Sequence, residues 1–336
     1  MIEHNNEYYR NLAFKWAPIN YQHIRLTSAN DYYQTKKDLL VPINLNFYKN
    51  KKDDLELCWD TRNIRKRLRN TDLQFLLPVV YYSVAETQTH YYVLYALYHA
   101  DDDTHPNDME GCLLILEKMD LNEILLGMIT VAHHDFWLYS YENSIKQASG
   151  KEFSEDYSLE VDVSIDYIRP LIQQEVGKHG LNALGTRINR FTKLLNWLRS
   201  LLSIYPDVIV YSPGDKPRYY EIKSIIKGRG TAYSPTFQYE LVDILNLEEG
   251  FWNRWHARPN STFQENGQFH GGAANPPWLW KESKLKIQHN EEEVGLIWSD
   301  PAKLVNRLFK PGKNRKDFSL SYIRHMDGTF YKGSNN

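Results

Sequence analysis

Pro78-Val-Val-Tyr-Tyr-Ser-Val-Ala85, His90-Tyr-Tyr-Val-Leu-Tyr-Ala-Leu-Tyr98, Gly111-Cys-Leu-Leu-Ile-Leu-Glu117 and Gly127-Met-Ile-Thr-Val-Ala-His133 follow one another with short connections. Each run is rich in aromatic and β-branched residues and too short for a typical helix, so each reads as a strand. Residues 136–141 (Phe-Trp-Leu-Tyr-Ser-Tyr) read as a further strand. Strands joined in this way form a meander, and the expected fold is mainly β, a β-sandwich-like arrangement of antiparallel sheets.

Working outward, strands are also expected over 12–24, with Pro18 restricting that one to an edge or to its start, and over 206–212, 218–226 and 237–245. Residues 39–48 alternate apolar and polar around Pro42. From Leu184 through Ile188, Phe191, Leu194, Leu195, Leu198 and Leu202 the apolar spacing is helical, so a long helical insertion is expected near 181–204. The C-terminal third, with Pro276-Pro-Trp-Leu-Trp280, reads as packed loops. The expectation is one β-rich domain over 12–328, with flexible tails at 1–11 and 329–336.

The chain has 336 residues, 42% of them hydrophobic, and a net charge of -2. That composition can fill a core and excludes a disordered chain; the near-zero charge generates no overall field toward DNA or an anionic membrane. Two cysteines, Cys58 and Cys112, exclude a disulfide framework. The polar N-terminus lacks a secretory pattern, and no apolar run is long enough for a membrane span. A soluble, cytoplasmic protein is the default expectation, with export lacking an N-terminal signal left open.

Between the second and third strands lies Asp101-Asp-Asp-Thr-His105-Pro-Asn-Asp108-Met-Glu110. Asp108 and Glu110 share one face of an extended chain, and His105 lies close enough for a turn to bring it to them. Carboxylates with an imidazole suit a hard divalent cation, Mg²⁺, Mn²⁺ or Ca²⁺. The expected ligands are His105, Asp108, Glu110 and one of Asp101, Asp102 and Asp103. His133 and His134 end the next strand, and His179 stands in the tight turn Gly177-Lys-His-Gly180; all three belong near this site if the strand-end loops converge. The competing reading is an acidic hairpin whose carboxylates cap turn N–H groups.

Thr104-His-Pro-Asn-Asp-Met-Glu-Gly111 resembles the Gly-His-Arg-His-Asp-Trp-Glu signature of the necrosis-inducing-protein-like (NLP) superfamily. Thr104, Asn107 and Met109 depart from it. The order of the surrounding pieces, over about residues 78–180, is similar too. The resemblance implies a β-sandwich with a divalent cation at one end, ligated at His105, Asp108 and Glu110 and at an upstream Asp, best matched by Asp102. It implies binding of glycan or lipid head groups. A water on such a cation, with a His as proton carrier, would make the same site a hydrolase, so whether the chain is an enzyme stays open.

A second pattern competes. Asp207, followed after a Ser212-Pro-Gly-Asp turn by Glu221-Ile-Lys223, resembles the PD-(D/E)xK nuclease motif, in which the carboxylates hold Mg²⁺ and the Lys stabilises charge at the phosphate. Nucleic acid is a partner only under that reading. The basic run Asp60-Thr-Arg-Asn-Ile-Arg-Lys-Arg-Leu-Arg69 could touch nucleic acid or acidic lipid; the plainer reading is a solvated helix face.

Overall fold

The computed structural model describes residues 2–25, 32–45, 61, 63–132, 135–164, 167–185, 207–215, 217–218, 220–221, 235–252, 263–264, 268–269, 275–280 and 295–330. The fold is mainly β. Five strands form the expected meander: β2 (Val79–Thr87), β3 (His90–Asp101), β4 (Pro106–Lys118), β5 (Glu123–Ala132) and β6 (Asp135–Ser140) pair antiparallel in sequence order. The sheet continues past β2 through β12 (Thr236–Asp243), β11 (Asp207–Pro213), β1 (Ile19–Ile24), β9 (Ile168–Gln174) and β10 (Leu181–Ala183). The pairs β12–β2, β11–β12 and β1–β9 are parallel, so the large sheet is mixed. It curls: β10 lies at one end of the strand order yet approaches β4 and β5 near the other.

Strands β2 and β3 are buried along their whole length, which explains why their sequences are nearly continuous apolar runs rather than alternating ones. One face is covered by helix α1 (Ile2–Trp16), which accepts a hydrogen bond at the Ala13 carbonyl from the Tyr95 hydroxyl at 2.7 Å. Gly111 on β4 marks a close approach, since the Tyr95 carbonyl and the Trp280 ring occupy the place a Cβ would take.

Three expectations are corrected. Residues 12–24 are not one strand: the helix runs to Trp16 and β1 begins at Ile19. The buried set Tyr9, Leu12, Ala13 and Trp16 has helical spacing, and Pro18 separates the two elements. The expected tail 1–11 accordingly contains most of α1, with Tyr9 bonded to Glu86 at 2.5 Å. Residues 39–45 are buried outside the strands, and Val41 N–H donates across the fold to the Tyr98 carbonyl at 3.2 Å. Of the expected helix 181–204, Leu181–Ala183 is strand β10 and residues 186–204 lie outside the described residues.

Candidate functional site

Asp101 ends β3 and Pro106 begins β4, so residues 102–105 form the connection. Asp102 closes it: its Oδ1 accepts from the backbone N–H of Thr104 and of His105, both at 2.5 Å, and its own N–H donates to the His105 carbonyl at 3.0 Å. The His105 imidazole lies back over the same carboxylate, with Nε2 3.4 Å from Oδ2. This is the turn-capping role the competing reading assigns to an acidic hairpin.

The neighbouring carboxylates meet cations from distant parts of the chain. Asp101, buried, receives Arg65 Nε at 2.6 Å and the Tyr33 hydroxyl at 2.7 Å, with Lys37 Nζ at 3.7 Å. Asp103 receives Arg25 at 2.7 Å and Lys37 at 3.1 Å. Tyr33 and Lys37 sit on the short helix α2 (Tyr33–Lys37), which places both beneath the loop.

Asp108 on β4 lies deeper. His99 is its register partner on β3, and His179 bonds to it, Nδ1 to Oδ2 at 2.8 Å. The other ring nitrogen of His179 stands 3.4 Å from Asp38 Oδ1, an ion-pair distance without a hydrogen bond. Asp38 also accepts from the N–H of Arg25 at 2.8 Å and of Gly177 at 2.9 Å. The turn is held behind by Gln174, whose Nε2 donates to the His179 carbonyl at 3.1 Å. Gly177 has φ 78°, and a side chain there would meet Asp103 and Arg25.

His99 and His179 stack with ring centroids 3.8 Å apart and planes 8° apart, yet their charges differ. Burial opposes the imidazolium in both. In His179 the hydrogen bond to Asp108 and the charges of Asp108 and Asp38 outweigh burial and raise the pKa to about 9. In His99 burial prevails, reinforced by the charge of His179, and the ring is held well below its ordinary value. Burial would also raise the Asp38 carboxyl, but His179 and then Arg25 outweigh it and hold it below the usual range. The buried core of the site is thus an imidazolium between two carboxylates.

The structure brings His179 to Asp108 and His105 to Asp102, while Glu110 faces Leu97 in the ladder. His133 and His134 lie outside the described residues. Among the described residues no three His, Cys, Asp or Glu side chains gather as a metal-binding group. The donors fit a divalent cation poorly for a local reason: Asp38, Asp101 and Asp103 are turned to Arg and Lys, Asp102 to backbone N–H groups, and Asp108 to His179. Reading the sequence missed Asp38, Arg25, Lys37 and Arg65; the triplet Lys36-Lys37-Asp38 was the available signal for two of them.

The nuclease pattern is not assembled among the described residues. Asp207 opens β11, whose two neighbours are β1 and β12. Glu221 is exposed in a segment without strand pairing, and Lys223 lies outside the described residues.

No family model and no curated protein matches this chain. Among solved structures it is similar to the non-toxic HaNLP3 protein (17% identity, 32% of this chain and 46% of that one, TM-score 0.23). It is similar to Necrosis and Ethylene inducing Protein 2 from the causal agent of cocoa's witches' broom disease (16% identity, 32% and 46%, TM-score 0.22). The chain spans about half the length of these two proteins. A mutant of NLPPya aligns over 82% of this chain and 85% of its own at 12% identity, TM-score 0.33, and NLPPya in complex with glucosamine over 61% and 62% at 13% identity, TM-score 0.28. The likeness to NLP structures is distant, of low identity and modest superposition.

Proposed function

We propose that this chain is a binding protein whose loop 102–105 takes the polar head group of a glycan, with an amino sugar as the class its chemistry favours. The observation that carries this reading is the exposed side of a rigid acidic loop. Asp103 keeps 41% of its side-chain surface in solvent, beside exposed Thr104 and the half-buried His105. A carboxylate accepts from ammonium and hydroxyl groups, a hydroxyl does both, and the half-buried imidazole adds a flat face. Ion pairs from Arg25, Lys37 and Arg65 hold the loop in place, so little ordering entropy is lost on binding.

Glucosamine is the first probe, because NLPPya was solved with that sugar and with mannosamine. Amide resonances of residues 102–105 are expected to move and saturate on titration with glucosamine, and to respond less in His105→Ala. Silence at about 10 mM sugar, an affinity floor near 3 kcal/mol, would sink the glycan reading. Shifts produced only by vesicles would transfer the site to a lipid head group.

A further inference from the structure

The resemblance to NLP proteins implies a divalent cation at this end of the sheet, yet the carboxylates here meet cations that the chain itself supplies. We propose that Lys37, Arg25 and Arg65 stand in for that cation, so that the acidic loop is ordered without any metal.

The geometry of Lys37 is the main support. It is 6% exposed, and a lysine is rarely so buried unless paired. Its ammonium lies 3.1 Å from Asp103 and 3.7 Å from Asp101, tying together two carboxylates that would otherwise repel across the loop. Arg25 joins the loop to the layer below, with 2.7 Å to Asp103 and 3.2 Å to Asp38. Arg65 closes the outer side at 2.6 Å from Asp101. Three cations therefore face the three carboxylates Asp38, Asp101 and Asp103. The remaining aspartate of the connection, Asp102, is occupied by the N–H groups of Thr104 and His105. A divalent ion entering among these oxygens would have to displace an ammonium or a guanidinium already at hydrogen-bond distance. Such a displacement discards charge-assisted bonds and sets like charges side by side.

The arrangement also accounts for the distribution of these residues. Arg25 follows β1, Lys37 ends α2 and Arg65 lies on the helix Ile64–Asn70, so three separate elements converge on one loop. A metal would neutralise the loop from within; here the neutralising charges also pin those elements to the end of β3.

The test uses the full chain and metals alone. Thermal melting is followed after chelation with EDTA and then with added Mg²⁺, Ca²⁺ or Mn²⁺, and bound Mn²⁺ is counted by electron paramagnetic resonance. The expected result is a melting temperature unmoved by chelator or metal and no bound Mn²⁺. A fall in melting temperature on chelation, or Mn²⁺ bound in stoichiometric amount, overturns the proposal. Lys37→Met supplies the positive arm: with the ammonium removed, Asp101 and Asp103 are expected to gain a stabilising response to Ca²⁺ or Mn²⁺ that the native chain lacks. A folded Lys37→Met protein indifferent to metal would also overturn it, and if that variant does not fold, Mn²⁺ binding by the native chain decides alone. Neither arm depends on glycan binding.

Discussion

Raising the pH through the titration of His179 should dismantle the core of the site. The imidazolium lies between Asp108 at 2.8 Å and Asp38 at 3.4 Å, fully buried, with its pKa raised from 6.5 to about 9. The folded-state value exceeds the unfolded one, so the linked stability is fully present below pH 6.5 and disappears as pH climbs through about 9. The displacement corresponds to roughly 3 kcal/mol, enough to matter against a typical domain stability of about 5–15 kcal/mol. Deprotonation leaves two buried carboxylates facing a neutral ring, with Arg25 the remaining cation on Asp38. Urea unfolding of the native chain should therefore show a midpoint that falls between pH 7 and pH 9.5, with an unchanged slope. His179→Gln should start less stable and lose much less over the same interval. The ring itself can be followed by its carbon-bound proton resonance, which should titrate near pH 9. A native chain as stable at pH 9.5 as at pH 7, or a ring that titrates below its ordinary value, would refute the charged triad.

Other consequences follow from groups outside this triad. His90 is buried against Phe318, and burial first, then Lys316 and Lys118, depress its pKa to about 4. Its contribution has the opposite sign: present above pH 6.5 and lost as pH falls toward about 4, roughly 3 kcal/mol in all. The urea midpoint of the native chain should thus fall between pH 6.5 and pH 4, and His90→Phe should lose much less over the same interval. At Gly111, alanine would drive a methyl group into the Tyr95 carbonyl and the Trp280 ring, and a loss of about 1–3 kcal/mol or more is expected in urea unfolding. At the helix Pro301–Leu308, Asp300 caps the N–H of Lys303 at 3.0 Å and accepts from Tyr322 at 2.7 Å; Asp300→Ala should cost about 1 kcal/mol or slightly more by the same measurement.

The meander β2–β6 was legible because β2 to β5 bury both faces or nearly so, and a short aromatic, β-branched run has few other uses. Helix α1 was not, because its aromatic residues mimic a strand and Pro18 draws attention to an edge. The parallel pairings β12–β2 and β1–β9 join segments far apart in the sequence, and no local pattern encodes them. The site divides in the same way. His105, Asp108 and the aspartate run are contiguous and announce themselves, whereas Asp38, Arg25 and Arg65 reach the loop only through the fold. His179 was noticed for its two glycines, and Gly177 does use its positive φ to bring that turn against Asp103.

The most acidic stretch of the chain and its most basic run illustrate why reading each alone misleads. Taken separately, Asp101-Asp-Asp103 asks for a metal and Arg65-Lys-Arg-Leu-Arg69 asks for a nucleic acid or an acidic lipid. In the fold Arg65 bonds Asp101 at 2.6 Å, and Arg69 lies 4.5 Å over the ring of Tyr33, whose hydroxyl bonds the same carboxylate at 2.7 Å. The two runs are therefore partners at this point, and part of the charge that seemed available for outside ligands is already spent inside. What remains toward solvent is smaller and more specific: one half-exposed aspartate, one threonine and one imidazole on a loop that ion pairs hold still. A surface of that size suits a single sugar ring better than a polymer of phosphates, because it offers a few directed hydrogen bonds and little net charge to attract a polyanion.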